Sequence, residues 1–134
     1  MTGVYLDASA IVKLGTAEPE SLALRAWLRN RSPLLTSRIS TVEVARAIGR
    51  NEAGSVAAGR AAAREVFTSV ALTELDAGIA NRAAELGPAT LRALDAIHLA
   101  TVLALGGELA AFVTYDGRLA DAARAAGLEV VAPA

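Results

Sequence analysis

An α/β fold built on a parallel sheet is what this chain predicts, and three observations carry the prediction. Short apolar runs suited to strands alternate with longer segments of helical spacing, from Val4-Tyr5-Leu6 near the start to Leu128-Glu129-Val130-Val131 near the end. The first run stops abruptly at Asp7 and leads through small residues into a second apolar stretch, the pattern of a buried strand that hands over to a helix. With 134 residues, 54% of them hydrophobic, the chain has the length of one domain and enough apolar material for a core between layers.

The elements follow in order. Ser9 to Leu14 reads as one or two helical turns that break around Gly15 and Pro19, and a helix resumes at Glu20 with Leu24, Trp27 and Leu28 at helical spacing and Arg31 near its end. Pro33 to Thr36 fits a second strand. Ser37 to Arg50 is helical material that stops before Gly54, and the alanine-rich stretch from Val56 to Phe67 is a further helix. Val70 to Leu75 alternates as a third strand, after which Asp76 caps a helix that runs to Glu85 and is ended by Gly87-Pro88. Leu91 to Leu105 is strongly periodic and is terminated by Gly106-Gly107. Ala111 to Thr114 is a fourth strand, Asp116 to Ala126 a helix closed by Gly127, and Leu128 to Val131 a last strand. Strands separated by helices imply βαβ crossovers, hence parallel pairing with helices on both faces.

Composition removes several function classes. No apolar run approaches the roughly 18 residues that span a bilayer, and the first residues lack the basic segment and apolar core of a signal peptide, so a cytoplasmic location without membrane contact is expected. The absence of cysteine excludes disulfides and thiolate metal sites, and the single histidine, His98, excludes multi-histidine zinc sites within one chain. Any metal must therefore be held by oxygen. A formal net charge of -1 gives no overall attraction for nucleic acid, so contacts to it must be local. Neither a P-loop nor a G-x-G-x-x-G nor a G-x-S-x-G motif is present, and the Asp7-Ala8-Ser9 start lacks the second acid of D-x-D phosphatases.

Four of the fourteen acids sit in apolar or strand-end settings: Asp7, Glu43, Asp95 and Asp116. Asp7 and Asp116 each follow a strand and precede a helix, which puts both on one edge of a parallel sheet. If the first and fourth strands are neighbours, the winding reverses between them and opens a crevice that the two acids flank. Asp95 lies among Leu91, His98, Leu99 and Val102 on its helical face, where an ionised carboxylate needs a cation or hydrogen bonds. Glu43, in the opening turns of its own helix, can face the same crevice. Carboxylates that converge repel one another unless hard cations neutralise them, which suits Mg²⁺ or Mn²⁺.

Each acid also has a plainer reading. Asp7 and Asp116 serve equally as helix N-caps, Glu43 as a partner of Arg46 on a solvated face, and Asp95 as a complement to its helix dipole. His98 reads as a core residue or as support for a neighbouring ligand rather than as a catalyst.

Four segments in register carry a resemblance: Val4-Tyr5-Leu6-Asp7-Ala8-Ser9-Ala10, Ser40-Thr41-Val42-Glu43-Val44-Ala45-Arg46, Leu94-Asp95-Ala96-Ile97-His98-Leu99-Ala100-Thr101 and Val113-Thr114-Tyr115-Asp116-Gly117-Arg118-Leu119. Together they resemble the signature segments of PIN-domain proteins, specifically the VapC-type toxins of bacterial toxin–antitoxin systems, and Lys13-Leu14 with Glu18-Pro19-Glu20 fits the same pattern. The resemblance implies a single PIN domain over residues 1–134, three-layered, with sheet order 3-2-1-4-5. It further implies an endoribonuclease dependent on Mg²⁺ or Mn²⁺, whose metal-binding and catalytic quartet is Asp7, Glu43, Asp95 and Asp116. Ser9 and Thr114 would support those acids by hydrogen bonds, and Asp7 would give one oxygen to its helix and turn the other to the ion. Also implied are a homodimer, silencing by a cognate VapB-type antitoxin, and an RNA substrate, transfer RNA before ribosomal RNA. A non-cleaving PIN-like module that binds RNA or a partner, and a solitary RNA-processing nuclease, are the alternatives.

Overall fold

The computed structural model describes residues 2–50 and 54–134. Five short strands, β1 (Gly3–Leu6), β2 (Leu34–Ser37), β3 (Val70–Thr73), β4 (Leu109–Val113) and β5 (Val130–Val131), form one sheet in the order β3-β2-β1-β4-β5. Every neighbouring pair is parallel. Both the class and the strand order are those expected from the sequence.

The sheet is covered because its central strand is apolar on both faces. Alternation sends Val4 and Leu6 one way and Tyr5 the other, and all three are fully buried. Val4 and Leu6 pack with Ile11 of α1 (Ala8–Gly15), Leu24 and Leu28 of α2 (Ser21–Leu28), Val44 and Ile48 of α3 (Ile39–Gly49) and Ala63 of α4 (Val56–Phe67). Tyr5 packs with Phe112 of β4, with Leu99 and Val102 of α6 (Ala93–Leu105) and with Leu119 of α7 (Gly117–Ala125). On the outside, α5 (Ala77–Glu85) closes on α6 through Ile79, Ala83, Ala96 and Ala100. The helices α3 and α4 approach so closely that a Cβ added to Gly59 would lie 2.8 Å from Ile48 Cγ2, which explains a glycine inside α4.

The element limits differ from the expected ones in a few places, each with a local cause. The second helix stops at Leu28 rather than near Arg31, whose N–H turns back to the Leu28 carbonyl at 3.0 Å. Helix α6 starts at Ala93 because Leu91 belongs to the preceding turn, its N–H bonded to the Pro88 carbonyl at 2.9 Å. Strand β4 begins two residues early, at Leu109, directly after the turn that Gly106 enters at φ 55°. Gly127, at φ 84°, closes α7 as its sequence position predicts.

Strand β1 lies between β2 and β4, so the chain winds outward on one side through β2 and β3 and on the other through β4 and β5. The carboxyl ends of β1 and β4 flank the reversal point, where a parallel sheet keeps its ligand crevice. No described helix is long and apolar enough to cross a membrane.

Candidate active site

Asp7 stands at the reversal point as the N-cap of α1, and only 3% of it is exposed. Its Oδ1 accepts the Ala10 N–H at 3.0 Å and the Ser9 hydroxyl at 2.6 Å, while its Oδ2 accepts the Thr114 hydroxyl at 2.5 Å. A carboxylate has four acceptor positions, so Asp7 keeps one, on Oδ2. The oxygen expected to face an ion alone is therefore shared with Thr114.

The two hydroxyls do more than hold Asp7. Ser9 Oγ also accepts the Tyr115 N–H at 2.9 Å, and Thr114 Oγ1 accepts the Asp116 N–H at 3.1 Å. The loop after β1 and the loop after β4 are thus stitched together through one buried carboxylate. Asp116 caps α7 through its own Oδ1, which accepts the Leu119 N–H at 2.9 Å. Capping and a place in the crevice coexist in both aspartates, so the plainer reading of each holds without removing the other.

Asp95 sits half-buried in the first turn of α6, and its carboxylate accepts no hydrogen bond among the described residues. Burial raises its carboxyl above the ordinary aspartate range; the negative charges of Asp116, Asp7 and Glu43 push the same way, and His98 opposes them. Asp7, Glu43 and Asp116 are therefore each within electrostatic reach of Asp95. Burial likewise raises Asp7, against its hydrogen bonds from Ser9, Thr114 and Ala10.

Glu43 does not pair with Arg46. Its Oε1 lies 2.7 Å from His98 Nε2, and His98 Nδ1 lies 2.7 Å from the Tyr5 hydroxyl. Both imidazole nitrogens are occupied and the ring is 1% exposed, so the donor set offered to the crevice is oxygen alone. Among the described residues, no three of these side chains converge on one point as a ready cation cage. Each acid but Asp95 has a partner within the fold, Asp7 in two hydroxyls and a backbone N–H, Glu43 in His98 and Asp116 in its helix, and each keeps acceptor positions open.

Two features escape the sequence reading. Lys13 bonds Glu18 at 2.6 Å and Glu20 at 2.8 Å and lies 4.8 Å from the centre of the Tyr115 ring, which ties the turn after α1 to the crevice loop. A cavity of about 280 Å³ that reaches Glu43 is lined also by Ser9, Arg46, Arg50 and the exposed Val42 and Leu94. The spacing of Glu43, Arg46 and Arg50 on one helical face signals that strip, but only the fold places it against α1 and the start of α6.

Comparison with known proteins agrees with this architecture. The family profile of the PIN domain matches residues 4–125. Ribonuclease VapC46 of Mycobacterium tuberculosis is 45% identical over 133 residues, 99% of either chain. Ribonuclease VapC35 of the same species is 44% identical over 134 residues, covering 97% of this chain and 96% of its own. Among solved structures, M. tuberculosis VapC20, described as a Sarcin-Ricin loop cleaving toxin, superposes with a TM-score of 0.73 at 24% identity, covering 97% of this chain and 99% of its own. The Rickettsia felis VapBC2 complex bound to promoter DNA gives 0.68 at 12% identity over 98% of this chain and 99% of its own.

Proposed function

The chain belongs to the PIN-domain family, in its VapC branch, and from that membership and the crevice acids we propose that it is the toxin of a type II toxin–antitoxin pair, an endoribonuclease requiring Mg²⁺ or Mn²⁺. The observation that carries this reading is Asp95: a half-buried carboxylate, free of hydrogen bonds among the described residues, facing the charge of three other acids. A protein that keeps such repulsion in a crevice is arranged for a cation that relieves it.

The donor set fits a hard divalent ion, because it is all oxygen and His98 has no nitrogen to spare. Asp95 and the remaining position on Asp7 would be the principal ligands, with Asp116 and Glu43 completing the site. Bound there, the ion supplies polarisation of a phosphodiester and a water of lowered pKa for in-line attack on phosphorus. The chain's own residues do the positioning. Ser9 and Thr114 hold Asp7 and join the two crevice loops, Ser9 by accepting the Tyr115 N–H and Thr114 by donating to Asp7, while the Asp116 N–H orders the second loop on Thr114. Purified protein incubated with RNA should cleave in Mg²⁺ or Mn²⁺ and stop in chelator, leaving 3′-hydroxyl and 5′-phosphate ends. RNA left intact under both metals, or cut equally in chelator, contradicts the proposal.

With a net charge of -1, RNA must be gripped locally. Arg46 and Arg50 line the cavity next to Glu43 and are exposed, so they are placed to hold phosphates flanking the scissile bond. Replacing both by alanine should weaken RNA binding at every sequence and lower the slope of log affinity against log salt by about 1.4, at about 0.7 per phosphate contact on a single strand. Filter binding across a salt series measures this, and an unchanged slope would place the RNA elsewhere. Membership of the VapC branch, together with a neighbour of the same fold solved as a VapBC2 complex, supports a VapB-type antitoxin as the partner of this chain, and an arginine from such a partner would neutralise the acids much as a cation does.

A further inference from the structure

Glu43 reaches the crevice on a side chain with three rotatable bonds, yet its carboxylate is held by an imidazole that belongs to a different layer of the fold. Tyr5, in the central strand, is fully buried, and its ring is fixed edge-on to Phe112 at 5.4 Å and 80°. The Tyr5 hydroxyl meets His98 Nδ1 at 2.7 Å, and His98 Nε2 meets Glu43 Oε1 at the same distance. Neighbouring hydroxyls do not compete to donate, since Thr36 gives its proton to the Leu6 carbonyl and Thr101 to that of Ile97. His98 is on α6 one turn beyond Asp95, and Tyr5 is two residues before Asp7, so the chain Tyr5–His98–Glu43 starts next to two of the acids in sequence, ends on a third and joins β1, α6 and α3.

We infer that Tyr5 and His98 are positioning residues for Glu43: the Tyr5 O–H donates to Nδ1, the imidazole is thereby fixed with its proton on Nε2, and that N–H holds one carboxylate oxygen so that the other serves the crevice. The inference rests on the ribonuclease reading above and assigns to it two residues that touch neither RNA nor metal. A carboxylate oxygen only accepts, so Nε2 carries the N–H and Nδ1 is left to accept, which makes the Tyr5 hydroxyl the donor at the closed end of the chain. An imidazole with one nitrogen satisfied from behind presents a single, directed N–H in front. A flexible glutamate is thus preorganised from the core.

The test uses Tyr5→Phe, Glu43→Ala and their combination, with Mn²⁺ binding by calorimetry on RNA-free protein and cleavage of one defined RNA. Tyr5→Phe should weaken Mn²⁺ and lower kcat by about tenfold each, at the lower end of what loss of a ligand-orienting partner costs, with KM for RNA unchanged. In the Glu43→Ala background the same change should cost nothing further. His98→Gln, which keeps a donor toward Glu43, should recover most of what His98→Leu loses. The ¹⁵N spectrum of His98 in the unaltered protein should show Nε2 protonated and Nδ1 bare, which tests the relay even where a variant folds poorly. The relay is overturned if Tyr5→Phe leaves Mn²⁺ affinity and kcat intact, if its loss persists in full without Glu43, or if Nδ1 carries the proton instead. Should Glu43→Ala itself leave binding and cleavage unchanged, the placing of Glu43 in the site falls and the relay with it. Should Glu43→Ala abolish both while Tyr5→Phe is silent, the relay alone falls.

Discussion

Asp95→Asn should reduce metal-dependent RNA cleavage by about 10³-fold or more, the scale of losing a group that acts on the reacting centre, and expression of the variant should no longer arrest growth. The same change should make the metal-free protein more stable at neutral pH. The sign follows from the direction of the pKa shift. Burial and the charges of Asp116, Asp7 and Glu43 raise the Asp95 carboxyl in the fold. A carboxyl raised on folding binds its proton more tightly in the native than in the unfolded chain, so its favourable contribution is present at low pH and is lost as pH rises through the native pKa. At neutral pH the ionised group is a burden that asparagine removes. Cleavage rates and thermal melting of the two proteins in chelator check both halves, and a variant that cuts RNA within tenfold of the parent would remove Asp95 from the centre of the reaction. Activity bought at the expense of stability is common in sites that gather like charges.

How much of this was legible beforehand differs from residue to residue. The parallel sheet and the strand ends at which Asp7 and Asp116 stand follow from apolar runs that end in acids, because a strand end and a helix start are local events, whereas the order of the strands comes from the resemblance of four distant segments to a known family. Asp95 was legible because an acid among apolar neighbours on one helix conflicts with its surroundings. The supporting hydroxyls Ser9 and Thr114 could be named from adjacency. That Ser9 bonds the Tyr115 N–H, 106 positions away, could not. Glu43 shows the limit most clearly. Its helix offers Arg46 as a partner three positions on, whereas the partner it takes, His98, is 55 positions away and is reached only because α3 and α6 meet across the sheet edge. Local spacing predicts contacts within an element; contacts between elements depend on crossing geometry that no window of sequence contains.

Asp7→Ala should behave differently from Asp95→Asn although both acids serve one crevice. Alanine removes the cap of α1, worth about 1 kcal/mol, and strips the Ser9 and Thr114 hydroxyls of their acceptor. Leaving the buried Thr114 hydroxyl without its acceptor costs about 1–3 kcal/mol more. The raised pKa of Asp7 works in the other direction, because the ionised carboxylate is itself penalised by burial. The hydrogen bonds win, since three of them are lost at once and two of the donors also fix the loops after β1 and β4. The expected result is a loss of cleavage as large as that of Asp95→Asn, accompanied by a net destabilisation of about 2–3 kcal/mol in chelator. Thermal or urea unfolding of the two variants against the parent separates them: Asp95→Asn should melt above it and Asp7→Ala below. If both melt above the parent, Asp7 is held in the fold at a net cost and the stitching of the two loops contributes little. If both melt below, the repulsion assigned to Asp95 is already neutralised within the protein, and the case for a cation in the crevice loses its main support.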